Sequence, residues 1–423
     1  MPEKCLSAPA QFTILYKPKH DRSDIIEKEG VMNQQVNEDK KRIINYILQS
    51  SNTLEKVDKF KFYKDTISDC RIFLFDEKCS NFDDSFSNKK IGQCGIWGMG
   101  DYTKTWILDS KHISERVLVQ VGKTIDFDLN ILTYLNKIMT GRKINIDKVG
   151  FINYLDYIKK EGFQIGISTA LMERVGTHID LEIFAEMIMS FVKFDKIQQI
   201  NDDLKNIYLS PVDYERIKQI YDSALNRADT SIEQFDALCC CVMKAYLIKT
   251  YDTITEKSKR VDKFIDFCFN VLNCYLEKEI VILSLYIMDD SSTRKIFQKL
   301  RNNSDIIKNI LNVTWDVFHI RLMEQMMLSD NVKNTERVIL PYFGTADNGI
   351  IDALQINPIK AFVIINDYPI AIHKMNIKDI CKNEELLENL HLNADIRGNK
   401  IKKISFAKIR EQLEAEILAA ANF

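Results

Sequence analysis

The feature that most constrains the fold is an interruption. Alternating strand and helix patterns run from Val117 to about residue 174, vanish across the whole of 175–311, and return at 312. The segment "VLVQVGKTIDFD" is apolar and β-branched enough for a central strand. The "LNILTYLNKIM" that follows sets Leu129, Leu132, Leu135 and Ile138 at helical spacing. A second helical pattern, "DKVGFINYLDYIKKEG", stops at Gly162; "FQIGIST" then reads as a short strand and "ALMERV" opens the next helix. Beyond the interruption come a helix from about Asn312 to Leu328, the strand "VILPYF", a short helix "NGIIDALQ" and the strand "AFVIIND". Such alternation predicts an α/β fold, a parallel sheet with helices on both faces, encoded in two pieces.

The interrupting text is all helix. "LEIFAEMIMSFVKF", "PVDYERIKQIYDSALN", "SIEQFDALCCCVMKAYLIKTY" and "VDKFIDFCFNVLNCYLEKEIVILSLYIM" carry helical periodicity with polar breaks between them. The chain therefore divides into a mixed N-terminal region at 1–115, a first core piece at 116–174, a helical insertion at 175–311, a second core piece at 312–375 and a helical tail at 376–423. In the first region "KKRIINYILQS" reads as helix, "RIFLFDEK" as strand and "CSNFDDSFSNKKIGQCGIWGMGDY" as loop. The tail places Phe406, Ile409, Leu413 and Ile417 on one face, a docking stripe for the rest of the protein or for a partner.

Composition narrows the class without naming it. Hydrophobic residues make up 46% of the 423, charged residues 28%, and the net charge is -2, as in an ordinary globular protein and unlike a dedicated nucleic-acid coating protein. Any charge that binds substrate must therefore be local. The ten cysteines include no C-x-x-C pair, which disfavours a zinc knuckle or a disulfide framework. Cys239, Cys240 and Cys241 read as small hydrophobes on a helix, and a reduced, cytoplasmic setting follows. The longest apolar run, Ile280 to Met288, is far short of the roughly twenty residues that cross a membrane, so no membrane partner is expected.

In an open parallel sheet, ligands sit beyond the carboxyl ends of the strands. That rule selects acids. Asp126 and Asp128 close "TIDFDLN", Glu173 lies just past the second strand, and Asp347 follows "VILPYF" in "FGTAD"; Asp316 opens "WDVFHIRL", whose first turn can face the same crevice. Four carboxylates in one place repel unless a cation joins them. A hard divalent ion, Mg2+ or Mn2+, suits all-oxygen ligands and the hydrolysis of phosphodiesters. Taken singly, each aspartate is more often a turn or a helix cap. His319, one turn from Asp316, invites a ligand or general-base reading, against the commoner role of a hydrogen-bonded core histidine.

"DFDLNILTYL", Glu173 in "LMERV", "WDVFHIRL" and "GTADNGIIDAL" resemble, in order, the four acidic motifs of the PIN-like nucleases. The resemblance implies a compact parallel α/β sandwich that cuts RNA with metal held by such acids. By position it gives Asp128, Glu173, Asp316 and Asp347 as catalytic metal ligands, with Asp126 behind Asp128 or in its place. Asn130 matches the asparagine two residues after the first acid, and Thr345 the small hydroxyl residue before the last. Leu129 stands where that family commonly has threonine, and the helical insertion is unusually long. Among basic runs, "TGRK" after the first core helix offers Arg142 and Lys143 as phosphate contacts.

The expected function is an Mg2+- or Mn2+-dependent endoribonuclease of the kind found among bacterial toxins and phage-defence effectors. Its substrate is RNA, with DNA as the alternative, and the helical insertion offers a surface for a regulatory protein or a second copy. A non-catalytic interaction module with the same core is the rival. Other chemistries lack their residues: there is no G-x-x-x-x-G-K-[ST], no G-x-S-x-G, and no histidine five residues after an arginine as in HEPN-type ribonucleases.

Overall fold

The computed structural model describes residues 39–75, 77–82, 87–110, 119–176, 180–197, 207–301, 305–333, 337–365, 368–392 and 404–421. Nine strands are described: β1 Arg71–Leu74, β2 Lys89–Ile91, β3 Cys94–Gly98, β4 Trp106–Asp109, β5 Val121–Phe127, β6 Gln164–Gly166, β7 Val338–Thr345, β8 Ile359–Ile365 and β9 Tyr368–His373. The α-helices are α1 over 39–48, α2 Thr53–Tyr63, α3 Leu129–Met139, α4 Lys148–Lys160, α5 Ser168–Gly176, α6 Leu181–Lys196 and α7 Pro211–Tyr251. They continue with α8 Lys257–Asp266, α9 Glu277–Ile287, α10 Ile306–Lys333, α11 Asn348–Ile356, α12 Ile377–Ile380, α13 Glu384–Leu392 and α14 Phe406–Ala421.

The strands form two sheets. One has the order β2-β3-β7-β5-β6, the other β4-β1-β8-β9. Among the described strands only β7, β5 and β6 run parallel, with Ile125 opposite both Ile165 and Tyr342. The remaining pairs are antiparallel. The chain is thus mixed α/β, and the expected all-parallel sheet is corrected to a mixed one. The reason lies in the N-terminal region, which was read as separate. "KKIGQC" there is a hairpin closed at Gly92–Gln93, with Gly92 at φ 58, the left-handed conformation a two-residue turn needs. Its strand β3 pairs with β7, so glycines that read as loop punctuation sit inside strands. Likewise β1 and β4 share a sheet with β8, which therefore does not extend the parallel set.

Strand β7 is buried at all eight positions although it contains Pro341. A proline deep in a sheet removes a ladder donor. Here the β3 pairing ends at Tyr342, one residue short, and the Tyr102 hydroxyl donates to the Pro341 carbonyl at 2.8 Å. The missing N–H therefore faces no strand partner.

Two large hydrophobic cores share helices. The sheet core gathers Ile125, Phe127, Leu135, Phe151, Phe184, Leu340 and Tyr342; the helical core gathers Cys239–Cys241, Phe264, Ile282, Phe297, Ile310 and Phe318. The cysteines are buried as expected. Helix α7 runs 41 residues without a break and serves both cores, with Tyr221 against the first and Tyr246 inside the second. Helix α10 does the same: Trp315 to Leu322 belong to the helical core, Met323 and Met327 to the sheet core. The long apolar text 261–288 is not one helix. A π turn at Phe267–Val271 and left-handed Asn273 at φ 50 separate α8 from α9. The tail helix α14 docks on α7 through Phe406, Leu413 and Ile417. Among the described residues no helix is long and apolar enough to cross a membrane.

Candidate functional site

The carboxyl ends of β5, β6 and β7 meet the first turn of α5, the amino end of α11 and the middle of α10. Asp126, the penultimate residue of β5, is 4% exposed. One carboxylate oxygen accepts from the Ser168 amide at 2.9 Å and the other from the Thr169 amide and hydroxyl at 2.7 and 2.5 Å. It thereby caps α5, the helix that carries Glu173. Gly166 makes this possible, because a methyl there would stand 2.4 Å from Asp126 Oδ1.

Asp128 follows β5 and is buried at 2% exposure. Its Oδ1 accepts from the Ile131 amide at 2.6 Å, capping α3, and its Oδ2 accepts from the Thr345 hydroxyl at 2.5 Å. Thr345 ends β7, and its oxygen in turn accepts from the Asp347 amide at 2.8 Å. Asp347 caps α11 through Gly349 at 2.7 Å. One threonine therefore ties the first acid to the turn that presents the last.

Asp316 is a different case. The sequence suggested that it opens a helix, where capping would explain it. Instead α10 begins at Ile306, so Asp316 lies in mid-helix, 7% exposed, with no end to cap. The Lys299 ammonium stands 3.3 Å from Asp316 Oδ2 and 4.0 Å from Asp347 Oδ2. One turn on, His319 Nε2 is 3.4 Å from Glu173 Oε2. That contact is not aligned as a hydrogen bond, and neither ring nitrogen has a hydrogen-bond partner among the described residues, although the ring is 3% exposed between Trp315 and Phe343. The contacts run Asp128–Thr345–Asp347–Lys299–Asp316, and one turn of α10 carries them to His319 and Glu173.

The electrostatics match this arrangement. Burial pushes Asp128 up to about 6 against the Thr345 hydroxyl and the Ile131 amide, with the Glu173 charge adding to the rise. Burial also pushes Asp316 up to about 6 against Lys299, and Asp347 adds to it. Burial disfavours a charge on His319, but Glu173, Asp128 and Asp316 outweigh it and hold its pKa above the ordinary histidine value. Burial thus opposes the charge on Asp128 and on Asp316 alike.

The structure thus brings Asp126, Asp128, Glu173, Asp316, Asp347 and Thr345 to one edge. Asn130 is exposed on the first turn of α3, at the rim. Arg142 and Lys143 are not brought there. They follow the far end of α3, an 11-residue helix about 16 Å long, and Arg142 is paired with Glu186. Two members were not assigned from the sequence: Lys299, which carried no visible signal, and His319, whose spacing from Asp316 was one.

The donor set, carboxylates plus one imidazole, has the chemistry of a divalent-cation site. A methyl at Gly349 would stand 3.1 Å from Asp347 Oδ1 and 3.4 Å from Asp316 Oδ2, so the glycine leaves space between the two acids. Among the described residues no group of three or more His, Cys, Asp or Glu side chains is arranged to hold a metal ion. Three of the aspartates are spent on helix caps, and the Lys299 ammonium stands on Asp316 and Asp347. Comparison of the chain with protein-family models, curated proteins and solved structures finds no match.

Proposed function

We propose that the protein is a metal-dependent endoribonuclease that hydrolyses phosphodiester bonds at the carboxyl edge of the β5–β6–β7 sheet. The observation that supports this best is Asp316, a buried mid-helix carboxylate that caps nothing and stands across Lys299 and Gly349 from a second acid, Asp347. Such a group is costly to bury without a purpose of its own. Bound between these acids, Mg2+ or Mn2+ would activate a water and screen the phosphate.

The chain's own residues prepare that chemistry. Thr345 and the Ile131 amide fix Asp128, Asp126 fixes the helix of Glu173, and the exposed Asn130 would meet substrate. His319 is positioned to hold a proton beside Glu173. The choice of RNA over DNA, and a role as a cytoplasmic toxin or antiviral effector regulated through the helical segment, rest on the resemblance to PIN-like nucleases.

One observation favours a second reading, a non-catalytic interaction module: Asp126, Asp128 and Asp347 each cap a helix. Asp316 separates the two readings. The test is incubation of the purified protein with RNA and matched DNA in Mn2+, with and without chelator, beside Asp128→Asn and Asp316→Asn. A nuclease loses on the order of a thousandfold or more in cleavage rate in either variant and all activity with chelator. Cleavage that survives both, or none from the parent protein, leaves the interaction module.

A further inference from the structure

The helical block sets one ammonium, that of Lys299, on two carboxylates of the acidic edge. The 3-10 turn Ile296–Arg301 buries Ile296, Phe297 and Leu300 at 1–3% exposure, which fixes its backbone, while the Lys299 side chain remains 44% exposed. Its ammonium sits between Asp316 and Asp347, beside the space left open by Gly349. A lysine head on a flexible four-carbon stem is a mobile point charge. A divalent ion on the same two carboxylates repels it, so the two cations exclude each other. Nδ1 of the buried His319, one turn from Asp316, has no hydrogen-bond partner among the described residues, a second sign that the site is completed by something it binds.

We propose that Lys299 is an exchangeable counter-cation: it holds Asp316 and Asp347 until a divalent ion takes them, and then moves to the phosphate of the substrate. The inference rests on the nuclease reading of the same site and gives the helical segment a part in it. When the ammonium leaves the carboxylates, a bound phosphate would offer it another anion. Metal and nucleic acid therefore bind with positive coupling, and the coupling is reciprocal. The lysine excludes stray metal while no substrate is present.

The test measures Mn2+ affinity by titration calorimetry for the full chain and for Lys299→Gln and Lys299→Arg, with and without a non-cleavable 2′-O-methyl RNA oligonucleotide. Circular dichroism checks each fold. In the parent protein the oligonucleotide tightens Mn2+ binding about tenfold, and Lys299→Arg keeps that coupling. Lys299→Gln binds Mn2+ about tenfold more tightly than the parent without oligonucleotide, gains little from adding it, and yet cuts RNA more slowly at saturating Mn2+. A purely structural lysine would not move affinity and rate in opposite directions. If Lys299→Gln binds Mn2+ no more tightly than the parent while manganese-dependent cleavage persists, the exchange is overturned and the nuclease reading stands. If neither protein binds Mn2+ under any condition and neither cuts RNA, the nuclease reading falls and the exchange with it.

Discussion

Helix α10 carries two buried charge clusters, little more than a turn apart, and they are built on opposite principles. Beyond His319, Arg321 makes a two-pronged pair with Glu279, Nε and one terminal nitrogen each at 2.7 Å from a carboxylate oxygen. Glu324 takes the Lys278 ammonium at 2.7 Å and His373 Nε2 at 3.1 Å. Burial pushes Glu324 up, but Lys278 and His373 outweigh it and hold its carboxyl well below the usual range. At Asp316 the balance tips the other way: burial wins over Lys299 and the carboxyl rises to about 6. The same helix can therefore give a buried acid full compensation, and at Asp316 it does not. Charge that is fully paired holds the helical core to the β9 edge, whereas charge left short at the sheet mouth is available to a ligand.

The largest effect expected on stability comes from breaking the compensated cluster. Glu324→Gln leaves the Lys278 ammonium, 6% exposed, without its carboxylate, and removal of one partner from a buried pair costs about 3–5 kcal/mol. Urea unfolding at pH 7 measures it, with Asp316→Asn as the companion, expected to be neutral or stabilising. Equal losses in the two variants would erase the distinction between the clusters.

How far the sequence disclosed this arrangement follows from the range of each signal. Periodicity is local, and it located β5, α3, α4, β6, α5, β7 and α11 as the structure has them. It is silent on which strands pair, so β1, legible as a strand in "RIFLFDEK", had no partner assigned, and β3, inside glycine-rich text, read as loop. The rule that acids gather at strand ends found Asp126, Asp128, Glu173 and Asp347. For Asp316 it supplied the wrong setting, because "IIKNIL" upstream belongs to the same helix. Lys299 was illegible for a physical reason: a surface-type residue in "RKIFQKLR" becomes part of the site only through the docking of one core on the other. Arg142 carried the attractive local signal, a basic loop after a core helix, and is instead tied to Glu186 at the far end of that helix.

A smaller effect, opposite in sign for the two clusters, appears with pH. Asp128 and Asp316 rise from the ordinary 3.8 to about 6 in the folded protein. Their contribution to stability is fully present below 3.8 and is lost as pH rises through about 6. Going from pH 7 to pH 5 therefore stabilises the fold by about 1 kcal/mol for each. His319, raised above its ordinary value, acts in the same direction. Glu324, held below its ordinary 4.5, contributes stability above that value and loses it only as pH falls further, so it offsets nothing between 5 and 7. Urea midpoints at pH 5 and 7 check this, and the double variant Asp128→Asn, Asp316→Asn should flatten most of the difference. A parent protein that weakens over the same interval would place its uncompensated charge elsewhere.

The smallest structural perturbation is the sharpest probe of the space at the uncompensated cluster. Gly349 is the second residue of α11, and its amide donates to Asp347 Oδ1 at 2.7 Å. Its backbone is not in the left-handed region, so alanine can adopt it, and in a helix alanine is favoured over glycine by about 1 kcal/mol. The new methyl would lie 3.1 Å from Asp347 Oδ1 and 3.4 Å from Asp316 Oδ2, close enough to offset that gain through small shifts of both carboxylates. Net stability of Gly349→Ala should thus stay within about 1 kcal/mol of the parent. Mn2+ affinity should fall about tenfold, because the cation must share the gap between the two acids with a methyl group. The corresponding change at Glu324 loses stability and leaves cleavage by the folded fraction alone; Gly349→Ala does the reverse. Calorimetric titration with Mn2+ and a thermal melt on the same sample measure both quantities. Full affinity in a well-folded Gly349→Ala protein would mean that the cation does not enter between Asp316 and Asp347, and would leave Asp128 and Glu173 as the pair around which it must be sought.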